Sequence, residues 1–416
     1  VSGGRFCENH PLETWAVHEH MQSIELKRTA TLLAATALVT GCTTFEDFMA
    51  PAAEAPAPQV VELTPPQERP REAPLGNNHF VLDSPQQSVI GEPQIVFTKE
   101  ENTFSDLARE YGLGYDELIE ANPDVDPWLP GEGTLVVLPT QYVLPNVPRE
   151  GIVLNIASKR LFYFPPVEEG QPQAVMTYPI GIGRVGWQTP LGSSSVISKA
   201  RDPSWYVPAS VRREHEELGD PLPAVVPPGP DNPLGRHVLK LDIPGYLIHG
   251  TNQPYGVGMR VSHGCVRLYP ENIELLYDLI ELGESVRIIN EPFLAGTRDG
   301  QIYFESHAPL EDDGVMVEQR LVDILERIEM LASEQAIDFD LGMMRDTAKT
   351  QLGVPVILSG GPGEALVARA RVVENTVEPD PSLPSLAEVR AILDEPLEED
   401  EAEDPESSAD GAVAND

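Results

Sequence analysis

Apolar and polar positions alternate in two registers along the middle of this chain. In "QIVFTK" and "TLVVLP" they follow the short period of strands, and between them "TFSDLAREYG" puts Phe104, Leu107, Ala108 and Tyr111 on one helical face. Thr103 and Asp106 have the spacing of a capping box, and Gly112 supplies a stop. "YDELIEANP" predicts a second short helix, so residues 93–140 read as a small α+β unit in the order βααβ. From 148 to 293 the pattern becomes mainly β. "EGIVLNIASKRLFYFP" predicts two strands around a turn at Ser158–Lys159. "AVMTYPIGIGRVGWQTPLGSSSVISKA" adds strands about a Gly-rich loop, and "GYLIHGT", "GCVRL" and "SVRIIN" are further short strands. "PENIELLYDLIELG" is an amphipathic helix with Pro270 in its first turn and Gly283 beyond its end. Residues 294–373 form an accessory region with a long helix in "MVEQRLVDILERIEMLASEQA".

The flanks have a different composition. Residues 42–92 are rich in Pro, Ala, Glu and Gln and predict a solvated tether. Residues 374–416 are acidic and Pro-rich and predict a disordered tail. The formal net charge of -39 argues against nucleic-acid partners and against attraction to anionic headgroups. Near the N-terminus, Lys27 and Arg28 precede a short apolar run, Thr29 to Thr40, which is too short to span a bilayer. Residues 21–41 therefore read as a signal peptide starting at Met21, and residues 1–20 as a leader from an upstream start. The run ends in "LVTGC", which resembles a bacterial lipobox; that resemblance implies lipidation at Cys42 and a lipid anchor, with Thr43 favouring the outer membrane.

With Cys7 removed and Cys42 acylated, Cys265 is a lone thiol in an oxidising compartment, without a disulfide partner. It is then inert filler, a metal ligand or a nucleophile. His249, His263 and Cys265 suit zinc, but no fourth ligand stands at a familiar spacing. A nucleophilic thiol needs a base beside it. If "YLIHG" and "CVRL" are neighbouring strands, His249 reaches the sulfur, and a carbonyl at Gly250 holds the imidazole in one tautomer. The turn in "SHGC" offers consecutive N–H groups to an oxyanion, with Gly264 allowing close approach. Trp205 and the Pro-rich segment after it are a candidate loop over the site; His79, His215, His237 and His307 read as surface or packing residues.

"HGTNQPYGVGMRVSHGCVRL" resembles the signature of YkuD-type L,D-transpeptidases, and "EGIVLN", "PIGIG", "TPLG" and "LPAVVPPGPDNPLG" resemble their ErfK/YbiS-like subgroup. The unit at 93–140 resembles a LysM domain through its Asp-Leu-Ala-x-x-Tyr-Gly helix, its Leu-x-x-Ala-Asn-Pro turn and its Leu-Pro-Gly, although "ENT" replaces the usual "GDT". The resemblance implies a YkuD-like β-sandwich with a helical cap. It implies attack by Cys265 on the bond between meso-diaminopimelate and the terminal D-alanine of a tetrapeptide stem. In that scheme His249 is general base and then acid, the Gly250 carbonyl orients it, and His263 and Gly264 shape the oxyanion site. Ser262 and Arg267 support the loop or the substrate. The acceptor amine belongs to another stem or to the lysine of a murein lipoprotein. No metal or organic cofactor is required. The implied partners are peptidoglycan stems and glycan, and the implied place is the periplasm of a Gram-negative bacterium. The rival expectations are a thiol hydrolase releasing lipoprotein from the wall and an inactive cell-wall anchor.

Overall fold

Residues 94–138 fold in the predicted order. The strand Gln94–Phe97 pairs antiparallel with Leu135–Leu138, and two helices, α1 (Phe104–Glu110) and α2 (Tyr115–Ala121), join them. At the start of α1 the Asp106 N–H donates to Thr103 Oγ1 and the Thr103 N–H donates to the Asp106 carboxylate. This reciprocal pair satisfies two donors that a helix start otherwise leaves open. The structure, a computed structural model, describes residues 64–378 apart from 77, 168, 169, 312, 313 and 360–365. The leader, the signal segment, Cys42, the first part of the tether and the tail beyond Glu378 lie outside the described residues.

Two expectations about the flanks need correction. The tether is already folded before residue 92: His79–Val81 pairs with Ala174–Pro179, Val89–Gly91 pairs with Gln141–Val143, and Leu82, Val89 and Ile90 are buried. The segment expected to be disordered from 374 is folded through Glu378. Arg371–Val373 adds a third, parallel strand beside Gln94–Phe97, the Tyr111 hydroxyl donates to the Glu374 carbonyl, and Val377 is buried. Both segments make contacts with elements remote in sequence, a gain that local composition does not register.

The larger β unit is built on a nine-stranded sheet. Its ten-residue strand Gly192–Arg201 pairs first with Ser285–Ile289 and then, past a register shift between Val196 and Ser198, with His237–Leu241. A bulge of this kind bends the strand and lets one sheet turn into a second layer. The expected sandwich results, with Ile152, Leu154, Leu161, Val196, Leu239, Ile248 and Val266 between its layers. Between Gly192–Arg201 and His237–Leu241 the chain makes an excursion. A short hairpin, Trp205–Tyr206 with Val225–Val226, carries helix α3 (Ala209–Glu217). Helix α4 (Pro270–Leu279) caps the core with Ile273 and Leu276. Helices α5 (Val317–Gln335) and α6 (Leu341–Thr350) pack on the hairpin Phe293–Arg298/Gln301–Ser306.

The strand Arg160–Phe164 is buried on both faces. Leu161 and Tyr163 face the sandwich core, while Phe162 and Phe164 share a cluster with Phe104 and Leu118 of the βααβ unit. Charge fixes the same seam. Arg160 is 1% exposed and binds Glu117 of α2 through two bonds of 2.7 and 2.8 Å, with Tyr142 4.0 Å below its guanidinium. Lys159 bridges Asp116 and Glu120. His307 lies buried between Glu120 and Glu305, and these carboxylates push its pKa up to about 10 against the opposing effect of burial. The expected packing role of His307 therefore holds, and it is an ionic one.

Removing one partner of a buried ion pair strands the other charge, at a cost of about 3–5 kcal/mol, whereas an apolar pair of similar volume is often neutral. Glu117→Gln should therefore lower the urea-unfolding free energy by about that amount. Glu117→Leu combined with Arg160→Met should recover most of it. A loss below about 1 kcal/mol for the single variant would contradict this account of the seam.

Candidate active site

The sequence places a histidine at the end of one short strand and a cysteine at the start of another, and the fold makes these strands neighbours. Leu247–His249 and Val266–Arg267 pair in parallel, Ile248 with Val266 and His249 with Arg267. Ile248 and Val266 are buried in the sandwich core. Side chains alternate across a sheet, so His249, Cys265 and Arg267 share the opposite face. Arg267 stands directly across from His249, and Cys265 lies on the diagonal.

His249 is 4% exposed. Its Nδ1 lies 2.6 Å from the Gly250 carbonyl. A carbonyl can only accept, so Nδ1 carries the proton and Nε2 is left as the basic nitrogen. Burial, reinforced by the Arg267 charge, lowers the His249 pKa to about 4, while the carbonyls of Gly250 and Leu234 pull the other way. Cys265 is half-buried. Burial pushes its thiol pKa up, opposed by the Leu247 backbone and by Arg267. The resting pair is thus a neutral imidazole and a neutral thiol.

The turn before Cys265 is tied from inside. The Ser262 hydroxyl donates to the Cys265 carbonyl at 2.6 Å and accepts the Gly264 N–H at 3.1 Å. Gly264 has φ +102°, a conformation that favours glycine, and a Cβ there would lie 3.0 Å from the Tyr246 ring. The Gly264 carbonyl accepts the Thr189 hydroxyl at 2.9 Å, and Thr189 Oγ1 accepts the Gly183 N–H at 3.2 Å. Both backbone groups of Gly264 are therefore engaged within the protein. Thr189 has no sequence signal of its own beyond its place in "TPLG".

His263 points to a second cluster. Its Nε2 lies 2.9 Å from a Glu214 carboxylate oxygen and 3.1 Å from Arg184, and Arg184 pairs with Glu214 as well. The Trp187 ring meets His263 edge-on at 4.9 Å, and His215 is 6.3 Å away. Burial holds His263 below the ordinary imidazole pKa against the pull of Glu214. Glu214 and His215 belong to α3, so the excursion meets the turn at 262–265. Trp205 sits in the hairpin of that excursion, and the side chain that reaches His263 is Glu214. Nothing in the sequence separates Glu214 from the other acidic residues of "ASVRREHEE".

Residues 149–288 match the YkuD family, described as the L,D-transpeptidase catalytic domain. The Escherichia coli strain K12 protein named "Probable L,D-transpeptidase YbiS" is 38% identical over 285 residues, covering 67% of this chain and 92% of that protein. "Probable L,D-transpeptidase YcfS" of the same organism is 36% identical over 289 residues, with 68% and 89% covered. "Probable L,D-transpeptidase ErfK/SrfK" of Salmonella typhimurium strain LT2 is 36% identical over 278 residues, with 66% and 88% covered.

A neutral thiol beside a neutral imidazole has a definite pH signature. Alkylation of Cys265 by iodoacetamide should rise with pH and keep rising beyond the ordinary thiol pKa of about 8.5. Arg267→Leu should move the curve further upward, because Arg267 favours the thiolate. A rate already level at neutral pH would reveal a preformed thiolate–imidazolium pair and contradict this electrostatic picture.

Proposed function

The chain belongs to the YkuD family of L,D-transpeptidases, and from that premise we propose that it is a peptidoglycan L,D-transpeptidase with Cys265 as nucleophile. The observation that carries the reading is the Nδ1–Gly250 bond of His249, on the face of the parallel ladder that also bears Cys265. It leaves Nε2 of His249 as the one ring nitrogen able to take the thiol proton.

As Sγ attacks the carbonyl of meso-diaminopimelate in a tetrapeptide stem, its proton passes to His249 Nε2. A base with pKa about 4 does not hold that proton in the free enzyme, so transfer accompanies attack. Since Gly264 N–H is bonded to Ser262, we assign the amide of Cys265 itself as the oxyanion donor. Arg267 adds positive charge beside the sulfur. His249 then protonates the departing amine, D-alanine leaves, and a thioester remains. An acceptor amine attacks the thioester, loses its proton to His249, and the thiol is restored. The amine is that of diaminopimelate in another stem or the lysine of a murein lipoprotein. In the same reading, residues 93–140 are a LysM module that binds wall glycan, and Cys42 carries a lipid that holds the enzyme to the periplasmic side of the outer membrane.

The test mixes the protein with tetrapeptide stems and a lysine-ending peptide and follows the products by mass spectrometry. We expect released D-alanine with a cross-linked stem or a peptide adduct. Cys265→Ala should abolish both products, and His249→Ala should slow them by about 10²–10⁴-fold. Tripeptide stems as the sole Cys265-dependent product would mean hydrolysis. Undiminished product from Cys265→Ala would overturn the assignment.

A further inference from the structure

Arg184 is fixed to the turn at 262–265 by its backbone. Ile182–Gly183 pairs in parallel with Arg260–Ser262, and the Arg184 N–H donates to the Ser262 carbonyl at 3.0 Å. A tight turn follows, with the Trp187 N–H on the Arg184 carbonyl at 2.9 Å, and the Trp187 ring rests on His263. From another side α3 delivers Glu214. Arg184, Glu214 and His263 thus meet from three separate segments, and His263 is only two residues from Cys265. Their side chains are 38%, 27% and 31% exposed, so a ligand can reach all three.

The hydrogen bonds within this trio cannot all be satisfied at once. One atom, His263 Nε2, lies 2.9 Å from a Glu214 oxygen and 3.1 Å from Arg184 Nη2. A carboxylate only accepts and a guanidinium only donates. If Nε2 carries the proton, it serves Glu214 and faces a second donor in Arg184. If it does not, it serves Arg184 and faces a second acceptor in Glu214. Either tautomer leaves one close contact unfavourable. Arg184 also has donors to spare. Its bonds to both partners run through Nη2, Nε is buried without a partner, and Nη1 makes no hydrogen bond among the described residues. Two opposite charges, accessible and incompletely matched, are set to exchange partners with a ligand that carries both charges.

We propose that Arg184 and Glu214 hold the far end of the diaminopimelate side chain in the donor stem, its carboxylate on Arg184 and its ammonium on Glu214. This rests on the peptidoglycan reading above. Beyond the attacked carbonyl that side chain ends in a second amino-acid centre, one carbon bearing both charges. Four carbon–carbon bonds, about 5 Å when extended, separate the two centres. His263 and Cys265 lie at most about 7 Å apart along the backbone, so the lengths agree. An acceptor amine, by contrast, must touch the acyl carbon itself. Arg267 acts on the Cys265 thiol whereas Arg184 and Glu214 do not, which sets the trio apart from the sulfur and beside the donor side chain. A guanidinium matches a carboxylate in geometry as well as charge. Arg184 therefore selects a third stem residue with a terminal carboxylate over lysine, which offers the ammonium alone.

The test uses free tetrapeptides that differ only at the third residue: meso-diaminopimelate, its side-chain amide, lysine and ε-N-acetyl-lysine. Calorimetry measures their binding to the full chain carrying Cys265→Ala, and D-alanine release by the native chain gives kcat/KM. The diaminopimelate stem should bind about tenfold more tightly than the amide or the lysine stem. Arg184→Gln should collapse that preference to within about twofold. Acetylation of the lysine stem should cost a similar factor, and Glu214→Gln should cancel the difference. Ratios of kcat/KM should follow the ratios of affinity. Equal affinity of the unsubstituted site for carboxylate and amide stems would overturn the assignment. So would a loss on Arg184→Gln shared equally by all four stems, the mark of a purely structural role. Binding ratios as predicted, with no D-alanine released from any stem by the native chain, would uphold the site and remove the transpeptidase reading instead.

Discussion

Two residue pairs of parallel sheet, Ile248 with Val266 and His249 with Arg267, determine which side chains share a face with His249. The pairing directs Ile248 and Val266 into the core, so its register is held by the burial of apolar surface. A slip by one residue would bury the imidazole's neighbours and turn the reactive face inward. Because the register is fixed, His249, Arg267 and Cys265 share one face without further instruction from the sequence.

Burial then tunes that face. It disfavours charge on both side chains, lowering the pKa of His249 and raising that of Cys265. Arg267 partly offsets the second effect. The Gly250 carbonyl does for His249 what a carboxylate does in other triads: it selects the tautomer. A carbonyl lacks a full charge, so it orients the ring without greatly raising its basicity. Ser262 and Thr189 hold the neighbouring turn from opposite sides of Gly264. The seam with the βααβ unit relies on the same principle at greater depth, with Arg160 and Glu117 charged, buried and mutually satisfied.

Much of this was legible in the sequence because it is local. The capping box of Thr103 and Asp106, the turn at Lys159 and the helix after Pro270 are encoded within a few residues of where they act. The pairing of the strand that ends at His249 with the strand that follows Cys265 was also accessible, since both strands are recognisable. What escaped depends on contacts between distant segments. Residues 79–81 look like tether and 374–378 look like tail until the segments they pack against are known. Glu214 and Arg184 have no sequence signature, Thr189 has only that of "TPLG", and the fold alone brings them to the turn at 262–265. The engagement of the Gly264 amide with Ser262 likewise follows only from the folded turn.

The central claim is that Cys265 carries the acyl group. Intact-protein mass spectrometry after brief mixing with a tetrapeptide stem, in the absence of any acceptor amine, tests it most directly. The account predicts an adduct with the mass of the stem less D-alanine, located on the peptide containing Cys265 and discharged when an amine is added. Release of D-alanine with an adduct on another residue, or with none that an amine can discharge, would contradict it.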